Sequence, residues 1–192
     1  LGGFQVNAQG KRFSNEARGY SEQATDIVAQ SERFAWSIFD QRIHDAMKEF
    51  DDYQDAIKAD CIRHAETVEE LVRVTGLPDA LKATVAEVDA FNRGEKKDAF
   101  GRDFSIGKPL TPPYKAVKVS GALFHTQGGL VVDKDGRVLR ADKTALPNLF
   151  AGGGATRGIS GPSNWGYLAG NGLLPATVFG RLAGRAAALQ VR

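Results

Sequence analysis

Eight of the 21 residues from 152 to 172 are glycine, in the run GGGATRGISGPSNWGYLAGNG. Few features limit a fold more. Glycine loses the most backbone freedom on folding and brings no side chain to a core, so the run cannot be an ordinary helix or strand. It has to be a set of turns lying against other backbone or against a ligand. Its end, YLAGNG, leads into an Ala- and Gly-rich segment, about 172 to 189, that reads as a helix. Free N–H groups at such a helix start, with the helix dipole, suit an anionic or electron-rich ligand edge. On spacing alone a ligand-binding turn and a plain surface loop weigh equally. No G-x-G-x-x-G follows an initial strand and no P-loop is present, so a dinucleotide pyrophosphate site is not visible.

The chain divides by composition. Residues 1 to 111 are charge-rich with helical patterning, whereas residues 112 to 192 are rich in glycine and short apolar runs. In the first part, FQVNAQGKRFSNE suggests two short strands around Ala8-Gln9-Gly10, and Phe34 to Phe39 a buried strand. A helical stretch runs from about Arg42 to Asp60. Thr67 and Glu70 form a capping box, with Gly76 as the C-terminal cap. Pro78 opens the next helix, which carries Leu81, Val85 and Val88 at helical spacing and ends at Gly94. Pro109, Pro112 and Pro113 forbid a helix and place the boundary at 111/112. Beyond it, LVVDKDGRVLR reads as a hairpin turning at Asp135-Gly136. NLFAGGG reads as a strand entering the glycine turn. In the last helix, Gly180 and Gly184 would let another backbone come close. The fold class expected is α+β.

Other totals remove whole classes of function. A net charge of +2 argues against a dedicated nucleic-acid binder, which shows a strongly basic face. Cys61 is the only cysteine, so a disulfide framework and a cysteine metal cluster are excluded, and a reducing, cytoplasmic setting is expected. No H-x-x-x-H or H-E-x-x-H spacing offers a zinc site, and no metal is expected. No apolar run is long enough to span a bilayer. The abrupt LGGFQV start reads as a fragment or a processed product.

Few residues stand out for chemistry. His125 sits between Leu123-Phe124 and Gln127-Gly128-Gly129; by itself it is more often a structural hydrogen-bonder than a catalyst. His44 and His64, in charged helical stretches, read as surface residues. Tyr167 and Trp165 stand among glycines as a plug or a ligand wall, and the phenol could donate to a substrate carbonyl. Ser160 and Ser163 do not sit in G-x-S-x-G. Arg12, Arg18 and Arg42 read as solvated or salt-bridging.

Four segments in order, FQVNAQGKRFSNE, HTQGGLVVDKDGRVLR, ALPNLFAGGGATRGISG and YLAGNGLLPATVFGRLAGRAA, resemble the FAD-dependent fumarate reductase / succinate dehydrogenase flavoprotein superfamily. That superfamily includes the 3-ketosteroid dehydrogenases. The resemblance implies a helix-rich capping domain over 1–111, then the C-terminal β-hairpin, strand and helix of an FAD-binding domain over 112–192. The Rossmann half, absent here, becomes the implied partner, beside a small-molecule substrate and a second copy of the chain. His125 matches the histidine of the H-T-x-G-G motif that meets the substrate carboxylate or carbonyl. Gly128 and Gly129 match glycines that pass close to the flavin. Gly170, Asn171, Gly172 and Leu173 match the helix start facing the N1/O2 edge of the ring. Gly153 and Gly154 fall in the glycine turn, and Gly154 replaces a glutamate that often holds the ribityl chain. Tyr167 takes the place of the arginine that clamps dicarboxylates. A phenol cannot make that bidentate contact, so the resemblance implies a neutral carbonyl substrate. Arg42, and more weakly Arg18, match the cap arginine that donates the proton. The activity implied is hydride transfer between FAD N5 and a CH–CH bond beside an activating group. The alternative is a folded cap fragment that does not retain FAD.

Overall fold

The computed structural model describes residues 1–123 and 127–190. It divides into two compact units, Leu1–Ala122 and Leu123–Arg192. The division falls eleven residues beyond the expected 111/112 boundary, because the strand that follows the prolines belongs to the first unit's sheet.

The first unit holds strands β1 (Phe4–Val6), β2 (Ala35–Asp40), β3 (Ile62–Ala65) and β4 (Tyr114–Val119), in the order β1-β2-β4-β3. Every neighbouring pair is antiparallel. Strand alternation gives the sheet two faces. Phe4, Ile38 and Ala116 are in register on one face, and Gln5, Ser37 and Val117 on the other. Five helices complete the unit: α1 (Tyr20–Val28), α2 (Gln41–Met47), α3 (Asp51–Lys58), α4 (Val68–Thr75) and α5 (Ala80–Asn92). Val6, Ile38, Leu71, Leu81, Val85 and Val88 are buried in one apolar cluster.

Local chemistry explains most of the boundaries. Thr67 Oγ1 accepts from the Glu70 N–H at 3.1 Å, and Glu70 reaches back to the Glu66 N–H at 2.9 Å. The capping box therefore closes one residue earlier than the standard pattern, and Gly76 ends α4 in the left-handed conformation at φ 68°. Asp40, 1% exposed, ends β2 and caps α2 by accepting from the Ile43 N–H at 3.0 Å. The stretch expected as one helix from Arg42 to Asp60 is two, and the Gln54 side chain satisfies the Lys48 carbonyl at the break, at 2.7 Å. Only the first of the two expected N-terminal strands forms; after Val6 the chain turns on the Asn7 side chain, which accepts from the N–H groups of Gln9 and Lys11. Two further corrections concern histidine. His44 is buried on α2, and His64 is exposed but lies on β3.

A buried ion cluster ties the N-terminal segment to the chain after α5. Arg12 binds Glu16 at 2.8 Å and Asp98 at 2.6 Å, and Arg102 binds Glu16 at 3.0 Å. The Arg12 guanidinium lies 4.9 Å from the Phe104 ring centre. Burial pushes the Glu16 and Asp98 carboxyls up, but hydrogen bonds and charge from Arg12 outweigh it and hold both below the ordinary value.

In the second unit, β5 (Arg137–Leu139) pairs antiparallel with β6 (Ala145–Phe150), and α6 spans Leu173–Gln190. The hairpin forms, with Val132 bridging Val138, but its turn falls one residue earlier than expected: the Gly136 N–H donates to the Asp133 carbonyl at 3.1 Å, so Lys134 and Asp135 are central and Gly136 follows at φ +77°. One face of α6 is made of Ala176, Gly180 and Ala183, at positions i, i+4 and i+7. Glycines meet it. A Cβ on Gly152 would lie 3.0 Å from the Gly180 nitrogen, and one on Gly136 2.9 Å from the Ala183 methyl. The Gly180 backbone is approached closely, but it is Gly152 that makes the room: a Cβ on Gly180 or on Gly184 would meet nothing within 4 Å, so neither helix glycine is needed for the approach.

Candidate functional site

Three separated pieces of the glycine-rich sequence meet in the second unit. Gln127 Oε1 accepts from Asn171 Nδ2 at 2.7 Å, and Asn171 Oδ1 accepts from the Ile159 N–H at 2.9 Å. The Leu130 N–H donates to the Ala155 carbonyl at 2.9 Å, and the Arg157 N–H to Leu130 at the same distance. The segment after His125, the glycine turn and the start of α6 are thus laced together. His125 itself lies outside the described residues.

The assigned glycines separate into two groups. Gly129 and Gly153 serve packing: a Cβ on Gly129 would strike the Thr156 carbonyl, and one on Gly153 would sit 3.2 Å from Ala176. Gly128, Gly154 and Gly172 have no atom within 4 Å of where a Cβ would stand. They leave bare backbone open to a flat group. Gly170, at φ +84°, turns the chain into α6. The N–H groups of Gly172 and Leu173 find no acceptor among the described residues, as a helix start that receives an electron-rich edge requires. Asn171 is buried and spent as a strut, which its flanking glycines did not reveal. Tyr167 is half-buried in this unit, and its N–H donates to the Asn164 carbonyl at 3.3 Å. Ser160 accepts from the Leu168 N–H at 3.0 Å and serves the loop.

Arg42 belongs to the first unit. Its guanidinium donates to the Leu1 carbonyl at 2.9 Å and lies 3.4 Å from Asp40. Arg18 pairs with Asp26 in an exposed bridge.

A titratable group that sequence patterning did not reveal occupies the first unit. His44 Nδ1 lies 2.8 Å from the Tyr53 hydroxyl, and Lys115 Nζ lies 2.5 Å from His64 Nδ1. The two imidazole rings are 6.2 Å apart, edge to face. Strand register brings them together: Phe39, Lys115 and His64 stand directly opposite one another on three adjacent strands. Burial pulls His44, His64 and Lys115 below their ordinary values, and it pushes Tyr53 up to about 12. Among the described residues no group of three or more metal-ligating side chains could hold a metal ion, and no helix is long and apolar enough to cross a membrane.

Comparison with known proteins gives this geometry a context. A family model described as an FAD binding domain matches residues 1–173. A probable fumarate reductase of Shewanella frigidimarina is 33% identical over 189 residues, covering 98% of this chain and 31% of that protein. A 3-oxosteroid 1-dehydrogenase of Mycobacterium tuberculosis is 30% identical, covering 95% of this chain and 38% of that protein. The open conformation of a flavocytochrome c3 fumarate reductase superposes with a TM-score of 0.72 at 32% identity, covering 98% of this chain and 32% of that one. The chain spans about a third of the length of these relatives. Its mixed α/β fold is similar to that of the flavocytochrome. The chain belongs to the FAD-binding family of the fumarate reductases and 3-ketosteroid dehydrogenases, with FAD as its cofactor.

Proposed function

We propose that this chain is the cap and returning segment of a flavin oxidoreductase that transfers hydride between flavin N5 and a CH–CH bond beside a neutral carbonyl. The observation that carries it is the bare backbone at Gly128, Gly154 and Gly172, beside the N–H groups of Gly172 and Leu173, which have no acceptor among the described residues. These groups would hold the flavin ring and accept negative charge at its edge. FAD supplies the two-electron chemistry. His125 and Tyr167 orient and polarise the carbonyl, their hydrogen bonds strengthening as charge develops on its oxygen. A first-unit residue handles the proton, and Arg42 is the candidate that the family resemblance supplies. Tyr167 in place of a carboxylate-clamping arginine supports a ketone over fumarate; the chain is similar both to fumarate reductases and to a 3-oxosteroid 1-dehydrogenase. The test is Tyr167→Phe in the full-length, flavin-loaded protein. The expected outcome is a fall in kcat of about 100-fold. Unchanged turnover and substrate affinity refute the polarising role.

A second reading concerns the chain by itself. Leu173, Leu174, Val178 and Leu189 of α6 are exposed, as in a segment that has lost its partner half. On this reading the 192-residue chain folds but does not retain FAD. Gel filtration after mixing with FAD decides: a colourless protein peak supports the fragment reading, and flavin absorbance co-eluting with the chain rejects it.

A further inference from the structure

We propose that the contact between Lys115 and His64 is an acid-operated catch, which holds strand β3 on the sheet at neutral pH and releases it when a second proton arrives. The catch lies within the first unit and works without flavin. Strand β3 is four residues long and lies at the edge of its sheet, beside β4. Its ends, Ile62 and Ala65, are buried, whereas Arg63 and His64 are exposed. His64 stands directly opposite Lys115 in the antiparallel register. Lys115 Nζ lies 2.5 Å from His64 Nδ1. Such a contact holds one proton between two nitrogens, each with a single lone pair to offer. With a second proton neither can accept, and two like charges face each other across the strands.

The surroundings do little to offset that repulsion. Lys115 is 5% exposed, so salt and water screen it poorly. Among the described residues no carboxylate lies within ion-pair distance of it; Glu66 and Asp45 act on it only at longer range, against Lys48. Asp45, on α2, is already bound by Lys48 at 2.7 Å and by Gln41 at 2.9 Å. Asp60 acts on His64 from a distance and stands 3.9 Å from Arg63. From α3 comes only the Tyr53 phenol, which burial pushes up to about 12 and so keeps uncharged. His44 is the other candidate for the switch, its ring 6.2 Å from that of His64. Its partner differs in kind. The Tyr53 oxygen, 2.8 Å from His44 Nδ1, can accept as well as donate, so a charged His44 keeps its hydrogen bond. An ammonium cannot accept. The Lys115–His64 contact is therefore the one that acid breaks.

Burial, and after it the Lys115 charge, hold His64 below its ordinary value, against Asp60. The closed strand thus favours neutral His64. That contribution is complete above about pH 6.5 and is lost as pH falls through the folded value. Across this interval the open strand binds one proton more than the closed one, and its population grows about tenfold per pH unit. Opening draws Ile62 and Ala65 out of the core and loosens the start of α4, where Glu66 and Thr67 make the cap. It leaves β4 as the edge of the sheet.

Amide hydrogen exchange in the 192-residue chain between pH 7 and pH 5, corrected for the intrinsic effect of pH on exchange, tests the catch. Protection of amides 62–65 should fall by up to about tenfold per pH unit, while protection of amides 35–40 in β2 stays level. In His64→Gln the side-chain carbonyl accepts from Lys115 at every pH in this range, so the fall should vanish. The exposed position of His64 lets that variant fold. In His44→Gln the fall should remain. A level profile for β3 in the wild type, an equal fall in β2, or a fall that survives in His64→Gln overturns the proposal. So does loss of the fall in His44→Gln.

Discussion

The two units are stabilised by different means. The first has a layered core in which Val6, Leu71 and Leu81 are fully buried, and an ion cluster bolts its N-terminal segment to the chain after α5. The second buries little apolar surface: Val138, Ala151 and Pro175 are its buried apolar residues among those described, and its long helix rests on glycine and alanine. Burial drives folding roughly in proportion to apolar area. The first unit therefore has its own driving force, and the second depends on fit. Small residues there allow backbones to touch, which contributes dispersion contacts but little transfer energy.

The comparison can be broken by mutation. Leu81→Ala, at a fully buried position, should destabilise the first unit by roughly 2–5 kcal/mol in urea unfolding; a loss below 1 kcal/mol would deny that this core dominates. Gly136→Ala should cost the second unit about 1–2 kcal/mol, because the position is at φ +77° and the new methyl would press on Ala183. Amide exchange in α6 should rise while exchange in β4 does not. Acid should act on the first unit. Glu16 and Asp98 have depressed folded-state values, so their contribution is present above about pH 4 and lost as pH falls through those values. The imidazoles of buried His44 and exposed His64, also depressed, add a loss that begins as pH falls through about 6.5. Glu16→Gln should flatten the lower part of that profile. The smallest effect is expected at Val178→Ser on exposed α6: stability within about 0.5 kcal/mol, with weaker binding of a hydrophobic dye.

What sequence could reveal follows the range of the forces involved. The α4 caps and the extent of α6 are local events, and each is found where the residues predicted; α5 starts at Ala80, two residues after Pro78, and the hairpin turn centres on Lys134-Asp135, one residue early. The prolines before Tyr114 read as a boundary because they end helical patterning. They lead instead into β4, whose place between β2 and β3 depends on pairing with residues about 50 and 75 positions away. The same non-local register hid the Lys115–His64–His44 group, since no spacing along the chain announces it. Helix α1 and strand β3 went unread because their apolar patterns are short. The glycine turn was recognisable as a contact surface, but which glycines pack and which stay open depends on what stands beside each one.

The row of Ala176, Gly180 and Ala183 against Gly153, Gly152 and Gly136 has a mechanical result. Without side chains to act as cushions, α6 cannot roll about its axis without a backbone clash. Leu174 and Val178 therefore keep a fixed heading before anything covers them. Whatever docks there meets a surface already set, and loses less freedom in closing over it than over a helix free to turn.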